Sequence, residues 1–91
     1  MCRNITELRG LEPPATTDEI DAAALQYIRK VSGLPKPPAG AEDEFAAAVQ
    51  AVAAATGRLL GVLPARRSPP TKVPPLRRPE VRARMAARQN P

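Results

Sequence analysis

The chain has 91 residues, 43% of them hydrophobic, but much of that share is alanine, and the aromatics are Tyr27 and Phe45 alone. A chain of this length forms one domain at most, with a modest core that dimerisation would enlarge. One cysteine and no histidine exclude an intrachain disulfide framework and serine–histidine or cysteine–histidine catalysis within one chain, and leave a zinc site short of its usual ligands.

The net charge of +5 is unevenly spread. Residues 1–63 carry six basic and eight acidic side chains, a net of −2, whereas residues 64–91 carry eight basic side chains against Glu80, a net of +7. Basicity therefore belongs to the C-terminal tail.

In chain order, Asn4 and Glu7 have capping-box spacing and Gly10 follows as a stop, so residues 5–9 are expected to form a single helical turn; a short strand is the alternative. Ile5, Leu8 and Leu11 would then offer a narrow apolar edge that folds back on the rest. Pro13 and Pro14 force an extended approach to the first long helix. Thr16 is its N-cap, with Glu19 completing a capping box, and Asp18, Glu19 and Asp21 suit the positive end of the helix dipole. Ile20, Ala24, Tyr27, Ile28 and Val31 recur at helical spacing. Arg29 and Lys30 suit the other end, Gly33 suits a left-handed stop, and Leu34 is expected to fold back on Ile28 in a Schellman ending.

The segment LPKPPAGA is a stiff turn, after which Gly40 or Ala41 opens a second helix with Glu42, Asp43 and Glu44 in its first turn. Phe45, Ala48, Val49, Val52, Thr56, Leu59, Leu60 and Leu63 define its inner face. Gly57 and Gly61 each cost roughly 1 kcal/mol relative to alanine, which predicts fraying after Thr56. The short connection makes the helices an antiparallel hairpin. Residues 64–91 hold seven of the twelve prolines with arginines between them, a composition that reads as extended linker. Pro79 can open a short third helix over 79–89, too short to be stable unless it docks.

The fold expected is therefore all-α: an antiparallel helical hairpin with a folded-back N-terminal segment over residues 1–63, and a Pro/Arg-rich tail over residues 64–91. No segment reaches the roughly 18–20 consecutive apolar residues of a membrane span. The N-terminus MCRNITELRG also lacks the apolar stretch of a secretory signal. The corresponding expectation is a cytoplasmic location with no membrane role.

The motifs MCRNI, EPPAT, AAALQYIRKVSG and FAAAV occur in order. On them the chain resembles a family of short bacterial proteins catalogued as domain of unknown function 2277, over approximately residues 1–63. The resemblance implies a fold boundary and carries no activity, cofactor or partner. Against that family's pattern, Gly10-Leu11 stands where Asn-Phe is usual, and Pro38 and Gly40-Ala41 stand where a Ser and an Asn would cap the second helix.

Two features bear on function. Cys2 would become an N-terminal aminothiol on loss of Met1, and the adjacent ammonium and Arg3 would favour its nucleophilic thiolate, the basis for a redox sensor. The competing reading is a small apolar side chain tucked under the helices. The tail cations Arg66, Arg67, Lys72, Arg77, Arg78, Arg82, Arg84 and Arg88 can neutralise nucleic-acid phosphates without sequence preference. They can equally bind an acidic protein surface or the hairpin's own Glu42-Asp43-Glu44 end, or remain solvated. Arg29, Lys30, Ser32 and Gly33 with Lys36 read as a solvated cationic helix end, and the acidic residues as first-turn dipole partners. No glycine-rich phosphate loop is present. The expectation is a small non-enzymatic interaction protein without cofactor or metal, contacting a protein or nucleic acid through its tail, with a homodimer as a further option; the alternative is a thiol sensor using Cys2.

Overall fold

The computed structural model describes residues 5–66, 70 and 72–89, the last four of these by their backbone. Among them there is no strand. The order is α1 (Thr17–Ser32), α2 (Glu42–Val62), a single 3-10 turn (Pro75–Arg77) and α3 (Pro79–Gln89). Helices α1 and α2 pack on each other as a hairpin, and α3 packs against the 3-10 turn that precedes it. The all-α hairpin with a short third helix is thus the fold.

Helix α1 begins where its sequence says it should. The Thr16 hydroxyl accepts from the Glu19 backbone N–H at 3.2 Å, and the Glu19 carboxylate accepts from the Thr16 N–H at 2.9 Å. Two otherwise orphan donors are satisfied in this way, a contribution of about 1 kcal/mol. At the other end Gly33 adopts φ 73° and donates to the Arg29 carbonyl at 2.9 Å. The expected Schellman ending is corrected here. The Leu34 N–H donates to the Ser32 hydroxyl at 3.2 Å, so the helix closes through the single bond of an αL cap.

Helix α2 has no side-chain cap on Ala41. Instead the Glu42 carboxylate accepts from the Gly40 N–H at 2.8 Å, and Gly40 takes φ 88°. The predicted fraying after Thr56 does not occur, because the helix continues to Val62. Gly57 is half-buried, and a Cβ there would lie 4.0 Å from Ile20 Cδ1 of α1, so packing across the hairpin offsets its poor intrinsic propensity. By length and composition α2 is apolar enough to cross a membrane, although the sequence offers no long unbroken apolar run; alanine accounts for the difference, and little of the helix is buried.

The core is thin. Leu11, Ala24 and Ala53 are its buried hydrophobic residues. Alanine at the buried positions of both helices lets them approach closely, but it removes little apolar surface from water. Three side chains expected on inner faces, Val31, Leu59 and Leu63, are exposed, and Tyr27 is half out of the core. Two helices cover each other along one stripe only, so apolar residues in their last turns outrun the cover available.

The lead-in differs from its expectation. Residues 5–8 are irregular and a turn follows at Arg9–Gly10, with Gly10 at φ 85°. A five-residue segment cannot meet the cost of helix nucleation, and this one runs irregularly beside the hairpin with Leu8 half-buried and Ile5 45% exposed. Ile5 and Leu8 lie along a groove walled by Ala23, Ala24 and Tyr27 of α1 and by Val52, Thr56 and Leu60 of α2. Leu11, after the turn, is buried. Asn4, the expected cap of the absent turn, lies outside the described residues.

Candidate functional site: the basic tail and its clasp on the hairpin

The tail returns to the hairpin through one arginine. Pro75 opens the 3-10 turn with its φ already set, Pro74 before it is buried, and the turn delivers Arg77 to the N-terminus of α1. There Arg77 Nε donates to Glu19 Oε2 at 2.5 Å, and Nη2 donates to Oε1 at 2.9 Å. The same Nη2 also reaches the carbonyls of Pro13 and Pro14, at 2.7 and 3.2 Å. A guanidinium suits this corner because its planar fork matches a carboxylate and still has donors left over. The Pro13-Pro14 pair, at a bend with a cis Glu12–Pro13 peptide, supplies carbonyls that no helix claims.

Glu19 therefore has two roles: it caps α1 and it receives the tail. Its side chain is 4% exposed, and that of Arg77 is 14% exposed. The hydrogen bond from Arg77 is the main reason its carboxyl falls from an ordinary 4.5 to about 2. Burial opposes that fall, while the Thr16 N–H and the Arg77 charge reinforce it. Glu19 raises the Arg77 pKa in turn. With these partners the buried carboxylate is fully satisfied, and no buried side-chain polar atom among the described residues lacks a partner.

A second, weaker contact lies between the lead-in and the start of the tail. Arg9 donates through Nε and Nη2 to the Pro64 carbonyl at 3.2 and 2.9 Å. Arg66 pairs with Glu7 at 2.5 Å, with side chains 30% and 69% exposed, a setting in which an ion pair contributes little. The stem of Arg66 lies against Gly10, where a Cβ would come within 2.8 Å of Arg66 Cβ. Gly10 thus serves both the left-handed backbone and the close passage of the tail.

The eight tail cations are consequently not equivalent. Arg66 and Arg77 are engaged by Glu7 and Glu19, and Arg82 donates through Nε to the Leu76 carbonyl at 3.0 Å while its side chain stays exposed. Lys72 and Arg84 are exposed and Arg78 is half-buried. Arg67, the Arg88 side chain and Cys2 lie outside the described residues. The apolar groove beside Ile5 and Leu8 encloses about 290 Å³, and its lining is almost wholly apolar. The Thr56 hydroxyl on its wall is spent on the Val52 carbonyl at 2.7 Å. Among the described residues no three His, Cys, Asp or Glu side chains cluster as metal ligands would.

The sequence marks Glu19 only as a cap and offers Glu42-Asp43-Glu44 as the acidic end for a returning tail; the structure corrects this, since the tail's ion pairs among the described residues go to Glu7 and Glu19. Nothing local marks a pair separated by 58 residues. The hint available was the Pro-Pro step before each partner, Pro13-Pro14 and Pro74-Pro75, which stiffens both approaches.

Comparison with curated proteins and with solved structures gave no match to this chain. The family of uncharacterised conserved proteins designated DUF2277 matches residues 1–84, so the match runs past Leu63 and takes in Pro74, Arg77 and most of α3. An all-helical hairpin carrying that continuous match belongs to the DUF2277 family.

Proposed function

We propose that the chain is a small, non-enzymatic cytoplasmic interaction protein that contacts nucleic acid through its tail without sequence preference. The observation that carries this reading is where the net charge lies once the internal ion pairs are set aside. The pairs Arg66–Glu7 and Arg77–Glu19 each join a tail cation to a hairpin anion. Without those four residues, residues 1–63 hold six basic and six acidic side chains, and the tail holds six basic side chains against Glu80. The whole net charge of +5 then resides on residues 64–91. A concentrated positive segment beside a neutral body is the electrostatic footprint of a polyanion-binding element.

The test is salt-dependent binding of the full chain to a short duplex, compared with the triple variant R78A/R82A/R84A. Arg77 stays in place so that the hairpin keeps its clasp. Each phosphate neutralised adds about 0.9 to the slope of log affinity against log salt, so loss of three contacts should lower the slope by about 2 to 3. Equal slopes for the two proteins, or no binding by either at low salt, would remove the reading.

A further inference from the structure

The uncovered face of α2 carries a charge pattern that the hairpin does not use. Helix α2 meets α1 through the half-buried or buried Phe45, Val49, Val52, Ala53 and Leu60. On the opposite side Glu44, Ala47, Ala51, Ala55, Arg58 and Val62 recur about once per turn, and every one is exposed, Val62 at 80%. Leu59, at 55% exposed, flanks them. Neither Glu44 nor Arg58 has an ion-pair partner among the described residues. Alanine explains the helicity of this side, but not an arginine and an exposed valine on it.

We propose that this face is the interface of a weak homodimer, in which α2 packs antiparallel on α2 of a second copy about a two-fold axis at Ala51. Glu44 and Arg58 each lie seven residues from Ala51, about 10.5 Å along the helix in opposite directions. An antiparallel copy centred there sets Glu44 against Arg58 of the other protomer twice over, and Ala47 against Ala55 twice over. A parallel copy in register would set Glu44 on Glu44 and Arg58 on Arg58, so the charges select the antiparallel arrangement. Alanine at 47, 51 and 55 permits interaxial distances near the short end of the usual range, about 8 Å.

A lipid surface is the competing occupant of an apolar helix. It suits this face less well, because Glu42, Asp43 and Glu44 crowd one end and Arg58 lies on it one turn from the other, whereas a second copy answers both charges. About an axis at Ala51 the paired face runs from Glu44 to Arg58, about 21 Å long and about 10 Å wide, with Val62 beyond the partner's helix. It therefore buries about 200 Å² per copy, well under the ~800 Å² per partner of a standard interface, and the association is concentration-dependent. The proposal stands independently of the tail's ligand.

Sedimentation equilibrium of the full chain from the micromolar to the millimolar range tests it, with far-UV circular dichroism confirming that each variant keeps its helix content. Wild type should dimerise reversibly. A51E, which brings two carboxylates together at the axis, and R58E, which sets like charges opposite Glu44, should each weaken the dimer at least tenfold. E44R/R58E, which restores opposite charges with reversed sign, should return to within about threefold of wild type. A monomer throughout the range would overturn the proposal, as would a dimer indifferent to A51E and R58E, or a double variant no better than R58E. Uptake of a monomeric chain onto phosphatidylcholine vesicles that A51E abolishes would assign the face to lipid instead.

Discussion

The Glu19–Arg77 contact makes a quantitative prediction about acid stability. Folded Glu19 titrates at about 2 rather than at 4.5. A carboxylate whose folded pKa is depressed contributes stability that is fully present above the unfolded value and is lost as pH falls through the folded one. At neutral pH the difference corresponds to about 3 kcal/mol, an order-of-magnitude figure for a group that is 5% exposed. A domain of this length has roughly 5–14 kcal/mol in all, so the contact is a large fraction of the whole.

R77L removes the partner and leaves Glu19 buried with the Thr16 N–H bond alone. Desolvation is then no longer outweighed by the guanidinium, and the Glu19 pKa rises. The two proteins should therefore differ most at pH 7, by about 3 kcal/mol, the lower end of what breaking a buried pair costs. The gap should close between about pH 4.5 and pH 2, because protonated Glu19 neither attracts Arg77 nor suffers from losing it. Urea unfolding followed by far-UV circular dichroism at several pH values measures this directly, with other carboxylates common to both proteins cancelling in the difference. A gap that stays constant from pH 7 to pH 2 would show that Arg77 acts through packing rather than through the Glu19 charge.

Two glycine substitutions separate backbone strain from propensity. G61A should stabilise the chain by about 0.5–1 kcal/mol in urea unfolding, since Gly61 is helical, its added Cβ meets open space, and alanine is the better helix former. G10A should destabilise it by about 1–3 kcal/mol in the same assay, because Gly10 sits at φ 85° and its new Cβ would press on the Arg66 stem.

How much of this was legible in the sequence divides by the range of the interaction. The start of α1 could be read almost atom by atom, because a capping box is four residues long and its partners are neighbours whatever the rest of the chain does. The hairpin was legible through apolar spacing and a proline-rich turn. Its depth was not: Val31, Leu59 and Leu63 share the period of a buried stripe, yet a two-helix layer runs out of cover before it reaches them. The lead-in failed for a related reason. Asn4, Glu7 and Gly10 satisfy a local helix pattern, but five residues cannot meet the cost of nucleating one turn, and Ile5 and Leu8 line a groove with Tyr27 instead.

The tail shows the sharper limit. Composition alone treats Arg66, Arg77, Arg78 and Arg84 as interchangeable, since charge density has no partner written into it. Fourteen basic and nine acidic residues allow over a hundred pairings, and local pattern does not rank them. What selects Glu19 for Arg77 is geometry assembled from far apart: a carboxylate already held by Thr16 at a helix N-terminus, two proline carbonyls beside it, and a proline-opened turn that aims a fork at all three. That selection decides which charges remain for an outside partner. An arginine that closes the fold cannot also be spent on a phosphate without exposing a buried carboxylate. Among the described tail cations the hairpin's carboxylates engage Arg66 and Arg77 and leave Lys72, Arg78, Arg82 and Arg84, in and before α3, without an anionic partner; these are the ones the proposed contact with a polyanion would use.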